Sequence, residues 1–212
     1  PGSYTLGIAV PAGFVATGQT SRTLNVGSGG AAQANFALQA QGAIQGVVFD
    51  DLNGNNRQDS DEAGIGGVAI SRNDGPSVAT ASDGSYRFSN VTVGNYTLSI
   101  TLPSGYVAVG RTSRTVSVAS GGAAQANFAL QAQGVIQGLV FDDRNGNGVQ
   151  DNGETGVGGV TLTRGDGPTT ATSLDGTYRF TDVVPGVYAL AITVPDGYAA
   201  VGQTSRTVNV PS

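Results

Sequence analysis

Five residue types are missing from this 212-residue sequence: cysteine, histidine, methionine, tryptophan and lysine. Without cysteine or histidine there is no disulfide, no thiol nucleophile, no imidazole base and no ordinary zinc site. Without lysine there is no Schiff base, and all ten basic residues are arginine. The lack of cysteine leaves the redox compartment open, because extracellular repeats often avoid it too. Charge is also scarce, at 12% of residues, with a net charge of −5 and a pI near 4.4. That balance argues against nucleic acid as a partner, since phosphate binding needs clustered positive charge. No apolar run is long enough for a membrane-spanning helix, and neither a signal peptide nor a lipidation motif is visible.

What is abundant is glycine, 34 residues, with eight prolines and many Thr, Ser and Val. Such a composition suits an all-β protein with many turns. The organising feature is an internal repeat with a period of 92 residues: GAIQGVVFDD at 42–51 recurs as GVIQGLVFDD at 134–143. Between 42–120 and 134–212, 48 of 79 positions are identical, so the copies should share one fold. Residues 3–26 match 95–118, and 29–42 match 121–134 residue for residue. The chain therefore divides into the C-terminal part of a preceding repeat (1–41), a complete repeat (42–133) and a repeat lacking its last strand (134–212). We read it as a window on a longer array. The alternative is a subunit whose incomplete ends complete one another between chains, an AAQANFALQ-like strand being donated to the third repeat.

Alternation and turn signals place strands in the complete copy near 43–49, 67–72, 77–81, 85–89, 95–102, 106–109, 113–118 and 124–131. Tyr96, Leu98, Ile100 and Leu102 share one face. About 90 residues with strands at this spacing imply a two-sheet antiparallel β-sandwich of immunoglobulin-like type. One such domain has a small core and little stability to spare.

A loop between the first two strands supplies a reinforcement. Residues 143–154, DRNGNGVQDNGE, fit the calcium-loop pattern D-x-[DN]-x-[DN]-G-x5-E, and 51–62, DLNGNNRQDSDE, follow it closely. Its flanks are rich in glycine and β-branched residues, so the loop joins strands and not helices. Calcium takes six to eight hard oxygen ligands, and alternate residues of a curled loop can all point inward. The expected ligands are Asp51, Asn53, Asn55, the carbonyl of Arg57, Asp59 and Glu62 in one copy. In the other they are Asp143, Asn145, Asn147, the carbonyl of Val149, Asp151 and Glu154. The sixth position needs a sharp turn; Gly148 suits it, and Asn56 is the non-glycine type that best tolerates left-handed geometry. Nine of the fifteen acidic residues fall within 50–62 and 142–154, which makes an ordinary acidic turn the weaker reading.

The strings VVFDDLNGNNRQDSDEAGIGGVAI and SDGSYRFSNVTVGNYTLSITLPSGY resemble the B-repeat domains of serine–aspartate-repeat surface proteins, within the wider group of prealbumin-like, collagen-adhesin B-type modules. The resemblance covers the whole repeat. It implies immunoglobulin-like sandwiches on a bacterial surface, calcium in each domain and a stalk-like role. It also implies further, weaker ions, making Asp50, Asp83, Asp142 and Asp175 second-site candidates. For Asp83 and Asp175 a turn role before glycine competes, and Asp74 and Asp166 in DGP read as turn formers. Many collagen-adhesin B-type modules carry a Lys–Asn isopeptide crosslink, which a chain without lysine cannot form.

The functional expectation is a calcium-stiffened repeat of an extracellular stalk, fibre or filament, whose partners are neighbouring repeats or identical subunits. The alternative is an adhesin module gripping a host or matrix ligand, which would need a repeat-specific patch or groove. None is visible in the sequence, where the aromatics recur at strand positions; Tyr106 and Tyr198 are the best exceptions. Arg22, Arg114 and Arg206 recur in TSRT at one phase, and solubility with edge protection accounts for them more simply than a binding row. An enzyme is disfavoured, because no nucleophile stands with a base and the paired carboxylates already hold metal-ligand spacing.

Overall fold

The computed structural model describes all 212 residues, and every element of regular structure is a strand. The chain forms two compact units. One comprises Pro1–Asp50, Asn56–Leu102 and Ala108–Ala129; the other comprises Asp51–Asn55, Pro103–Val107 and Leu130–Ser212.

In the first unit, Gly42–Asp50 is the central strand, buried along most of its length. It pairs antiparallel with Ser85–Val91, Ile44 opposite Phe88 and Gly46 opposite Tyr86. A four-stranded sheet lies in the order Ser113–Val118, Gly94–Ile100, Ala69–Arg72, Ser77–Ala79. The period-two pattern of YTLSI does what it should: Tyr96, Leu98 and Ile100 are buried, while Thr97 and Ser99 are less so. Ile44, Val48, Phe49, Val68, Ile70, Leu98 and Phe128 are almost wholly inaccessible and form the interior of this sandwich. Toward the N-terminus, Gly2–Gly7 pairs with Ser21–Val26, and Phe14–Ala16 pairs with Leu38–Ala40. The latter is the counterpart of the sheet adjacency between Tyr106–Val109 and Phe128–Ala132.

The second unit repeats the plan. Gly134–Leu139 pairs with Thr177–Val183, and a sheet runs Thr169–Ala171, Thr161–Arg164, Gly186–Ile192, Ser205–Val210. Ile136, Leu162, Phe180, Val183, Leu190 and Val210 make its core.

Two details differ from the expected strands. The last strand of the complete copy is broken into Ala123–Gln125 and Phe128–Ala132. The first piece runs parallel to Ala43–Gln45, a departure from an all-antiparallel sandwich. At the break the Asn127 side chain replaces a backbone acceptor, its Oδ1 taking the Val47 N–H at 3.1 Å. The tight approach is permitted by Gly46, where a Cβ would stand 1.8 Å from the Ala126 carbonyl oxygen. The other difference is at 198–201, the counterpart of Tyr106–Val109, which forms no strand. Tyr106–Val109 has Phe128–Ala132 beside it, whereas this sequence has no third copy of that strand for 198–201.

Candidate metal loop

The loop leaves and re-enters the sandwich through a closed neck. Phe49 bridges Gly64, and the Asp50 N–H donates to Ala63 O at 2.9 Å. Phe141 and Gly156, with Asp142 N–H to Thr155 O at 2.9 Å, do the same in the other copy. Just beyond the neck a buried threonine pins the returning chain. Thr80 Oγ1 donates to Ile65 O at 2.6 Å and accepts from Val68 N–H at 2.9 Å; Thr172 repeats this with Val157 O at 2.7 Å and Val160 N–H at 2.9 Å. Two nearly adjacent attachment points thus carry a twelve-residue excursion.

Within 143–154 the backbone wraps around the side-chain oxygens. Asp143 accepts N–H bonds from Gly146 at 2.8 Å and Gly148 at 2.7 Å through its two oxygens. Asn145 Oδ1 accepts from Asn147 N–H, and Asn147 Oδ1 from Val149 N–H, at 2.9 and 2.8 Å. Asp151 accepts from the amides of both Asn145 and Asn147 at 2.7 Å. These two bonds hold its carboxyl below the usual aspartate range. Glu154, 9% exposed, closes the ring: Oε1 accepts the Arg144 N–H at 2.9 Å and Oε2 the Asp151 N–H at 3.0 Å. Val149 turns its side chain to solvent, 62% exposed. The sixth position has φ +76° at Gly148 and +59° at Asn56, so both residues take up the left-handed turn.

The first loop shows the same motifs in its two parts. Asn55 N–H donates to Asp51 Oδ1 at 3.1 Å and Asn53 Oδ1 at 3.0 Å, and Asp51 is wholly buried. Asp59 N–H donates to Glu62 Oε2 at 3.0 Å, and Glu62 is 5% exposed. Arg57, like Val149, turns outward. A buried carboxylate is stable only when its charge is answered by donors or a cation.

The donor set suits a hard cation: aspartate and glutamate oxygens, amide oxygens and a main-chain carbonyl, with no sulfur or nitrogen ligand. No three acidic side chains are gathered at metal-holding spacing; the loop carboxylates rest on N–H donors instead. Turning the Asn145 or Asn147 amide by half a turn exchanges its nitrogen for its oxygen at the same place, without moving the backbone.

Three of the second-site candidates make local bonds. Asp142 pairs with Arg144 Nε at 3.1 Å. Asp83 accepts the Ser85 N–H at 2.9 Å; Asp175 accepts the Thr177 N–H at 3.0 Å and its hydroxyl at 2.7 Å. Hydrogen bonds from Ser85 and Thr177, side chain first, lower the two carboxyl pKa values. Asp50 is half-buried at the neck.

Sequence reasoning missed a clamp present in both copies. Arg72 lies over the rings of Phe88 and Tyr96, 5.4 and 4.8 Å from their centres, and Asp74 grips it at 2.5 and 2.8 Å. Arg164, Phe180, Tyr188 and Asp166 repeat it at 5.6, 5.0, 2.6 and 2.9 Å. The available signal was the shared phase of R-x-D-G-P with Y-R-F in both copies.

A sandwich whose first two strands are joined by this loop, present twice, defines the class of protein. The SdrD B-like domain profile matches residues 42–131 and 134–209, and the chain belongs to that family. It is 34% identical over 181 residues to serine-aspartate repeat-containing protein D of Staphylococcus aureus (strain Newman), covering 71% of this chain and 13% of that protein. It is 27% identical over 200 residues to serine-aspartate repeat-containing protein F of Staphylococcus epidermidis, covering 83% of this chain and 12% of that one. Thus the chain spans about an eighth of the length of these relatives. Among solved structures it is similar to a streptococcal ancillary pilin, with a TM-score of 0.44, 14% identity and coverage of 99% and 71% of the two chains. Family membership makes the chain an extracellular module of a bacterial surface protein and not an enzyme.

Proposed function

We propose that this chain is a calcium-stiffened structural repeat of a bacterial surface stalk, fibre or filament, joined to neighbouring repeats or identical subunits. The observation that carries this reading is the curled loop at 143–154, with oxygen-bearing side chains at alternate positions above a closed neck. Asp143, Asn145, Asn147, the Val149 carbonyl, Asp151 and Glu154 would hold the ion, as would Asp51, Asn53, Asn55, the Arg57 carbonyl, Asp59 and Glu62. The ion would add positive charge to carboxylates that otherwise rest on N–H donors alone.

The stiffening follows from architecture. Neck, threonine pin and second strand form one continuous connection from an inner strand of one sheet to an inner strand of the other, so ordering the loop would tie the two sheets together. Lysine is absent, so no Lys-dependent isopeptide staple supplies this rigidity. Extracellular modules with sites of modest affinity work at 10⁻⁴–10⁻³ M calcium, on the order of the concentrations outside cells. Isothermal titration of the whole chain with calcium tests the reading. Binding should be abolished at one loop by Asp143→Asn with Glu154→Gln and at the other by Asp51→Asn with Glu62→Gln. Equal heats in all variants would remove the loops from consideration.

A further inference from the structure

A groove of about 1030 Å³ opens in the first unit between the Asn56 turn, the Gly110–Val116 edge and Gln125. An adjoining hollow of about 470 Å³ adds Arg57 and Asn127. Three guanidinium groups, of Arg57, Arg111 and Arg114, line the combined concavity, and no carboxylate does. In a chain of net charge −5 this is a local inversion of sign.

Arg114 is the residue of interest. Its Nε is buried and has no hydrogen-bond partner. Its guanidinium carbon lies 6.0 Å from the centre of the Phe128 ring, and its outer nitrogen reaches Asn56 Oδ1 at a long 3.4 Å. Arg72 and Arg164 show what completes such a seat in this fold. Each lies on aromatic rings, and each is closed by an aspartate bonded to both Nε and an outer nitrogen. Arg114 has the aromatic floor but no aspartate, and because its Nε is covered by the protein, a groove ligand would meet its outer nitrogens. A buried N–H left unpaired is costly, and the guanidinium fork matches a carboxylate in two-point geometry.

The groove's cations also belong to one copy. At the positions of Arg57 and Arg111 the third copy carries Val149 and Gln203, and the N-terminal segment carries Gln19 for Arg111. Arg114 alone recurs, as Arg22 and Arg206. Repeats that share a scaffold and differ in charge at one concavity have the feature expected of a binding module. We infer that this groove binds carboxylate groups of an acidic polypeptide segment, with Arg114 as the two-point anchor and Arg57 and Arg111 as flanking charges. Arg111 and Arg114 lie outside the loop, so the inference does not rest on calcium binding.

The test uses the 212-residue chain, with labelled hexaglutamate as probe, hexaglutamine as control and a sulfated polysaccharide as competitor. It is run once with calcium and once with chelator. Hexaglutamate should bind, more weakly as salt rises, and hexaglutamine should not. Arg114→Gln should weaken binding by about tenfold or more, the effect of losing a charged two-point contact. Arg111→Gln and Arg57→Val install the third copy's own residues, so they should lower affinity without altering the melting temperature; Arg206→Gln should change nothing. Sedimentation of the chain alone then identifies the source. Salt-sensitive self-association lost in Arg111→Gln assigns the carboxylates to a second copy, and a monomer that binds the peptide assigns them to another protein. Equal affinity of wild type and Arg114→Gln, absence of peptide binding, or binding of the sulfated polysaccharide alone would overturn the proposal.

Discussion

Arg72 and Arg164 each sit on two aromatic rings with an aspartate across the open edge, and the titration of those aspartates carries a consequence. The neighbouring guanidinium lowers the carboxyl pKa of Asp74 and of Asp166, chiefly through the side-chain hydrogen bond. Amide bonds do the same for Asp151, as do hydrogen bonds from Ser85 and Thr177 for Asp83 and Asp175. A carboxyl whose folded pKa lies below its unfolded value stabilises the fold above that unfolded value, here 3.8, and loses the contribution as pH falls through the folded one. Melting temperature should therefore hold above about pH 4 and fall below it, and Asp74→Asn with Asp166→Asn should flatten that acid limb. A limb of unchanged steepness would show that the clamp does not contribute. Tyr86 works in the opposite sense. Burial pushes its phenol above the ordinary value of 10, so its contribution is present below pH 10 and is lost as pH rises through the higher folded value. Its hydroxyl donates to Ala126 O at 2.5 Å. Tyr86→Phe leaves that buried carbonyl unpaired and should cost about 1–3 kcal/mol in denaturant unfolding.

At the scale of elements, alternation and turn residues made most strands legible. Tyr106–Val109 and Ser113–Val118 fall where the pattern put them, and other ends shift by one or two residues. The break at Ala126–Asn127 was not legible. Nothing in AAQANFALQ says that Asn127 will stand in for a backbone acceptor, because that depends on Gly46 in a strand eighty residues earlier. The Arg72 clamp was hidden for the same reason: Asp74 is local, but the Phe88 and Tyr96 rings arrive from two other strands. Conversely, the curl of the loop was legible because the spacing of its oxygen-bearing residues is local to twelve residues. Close approach at Gly46 also predicts an asymmetry between the copies. A Cβ there meets backbone at 1.8 Å, whereas at the equivalent Gly138 it meets the movable tip of Tyr178, 2.6 Å away. Gly46→Ala should exceed the roughly 1–3 kcal/mol typical of overpacking, and Gly138→Ala should fall within or below it. Equal shifts in denaturation midpoint would contradict the account.

For the molecule as a whole, the question is what keeps small repeated cores rigid. Each unit has one modest sandwich, no disulfide and no lysine for a covalent link. Both copies place at least half of their acidic residues on one connection between strands. The groove at Arg114 shows how a copy can acquire a distinct surface while the scaffold stays constant. The central claim is that calcium at the two loops supplies the missing stiffness. A ligand bound only by the folded state adds about 2.7 kcal/mol at a hundredfold excess over its dissociation constant. For a domain of this size that corresponds to a rise in melting temperature of roughly 10 °C or more. The most direct measurement is thermal unfolding of the 212-residue chain in millimolar calcium and again in chelator, with magnesium as control. Melting should shift upward by that amount in calcium, far less in magnesium, and not at all when Asp51, Glu62, Asp143 and Glu154 are together replaced by their amides. Identical melting in calcium and chelator would contradict the claim and leave the loops as turns held by their own hydrogen bonds.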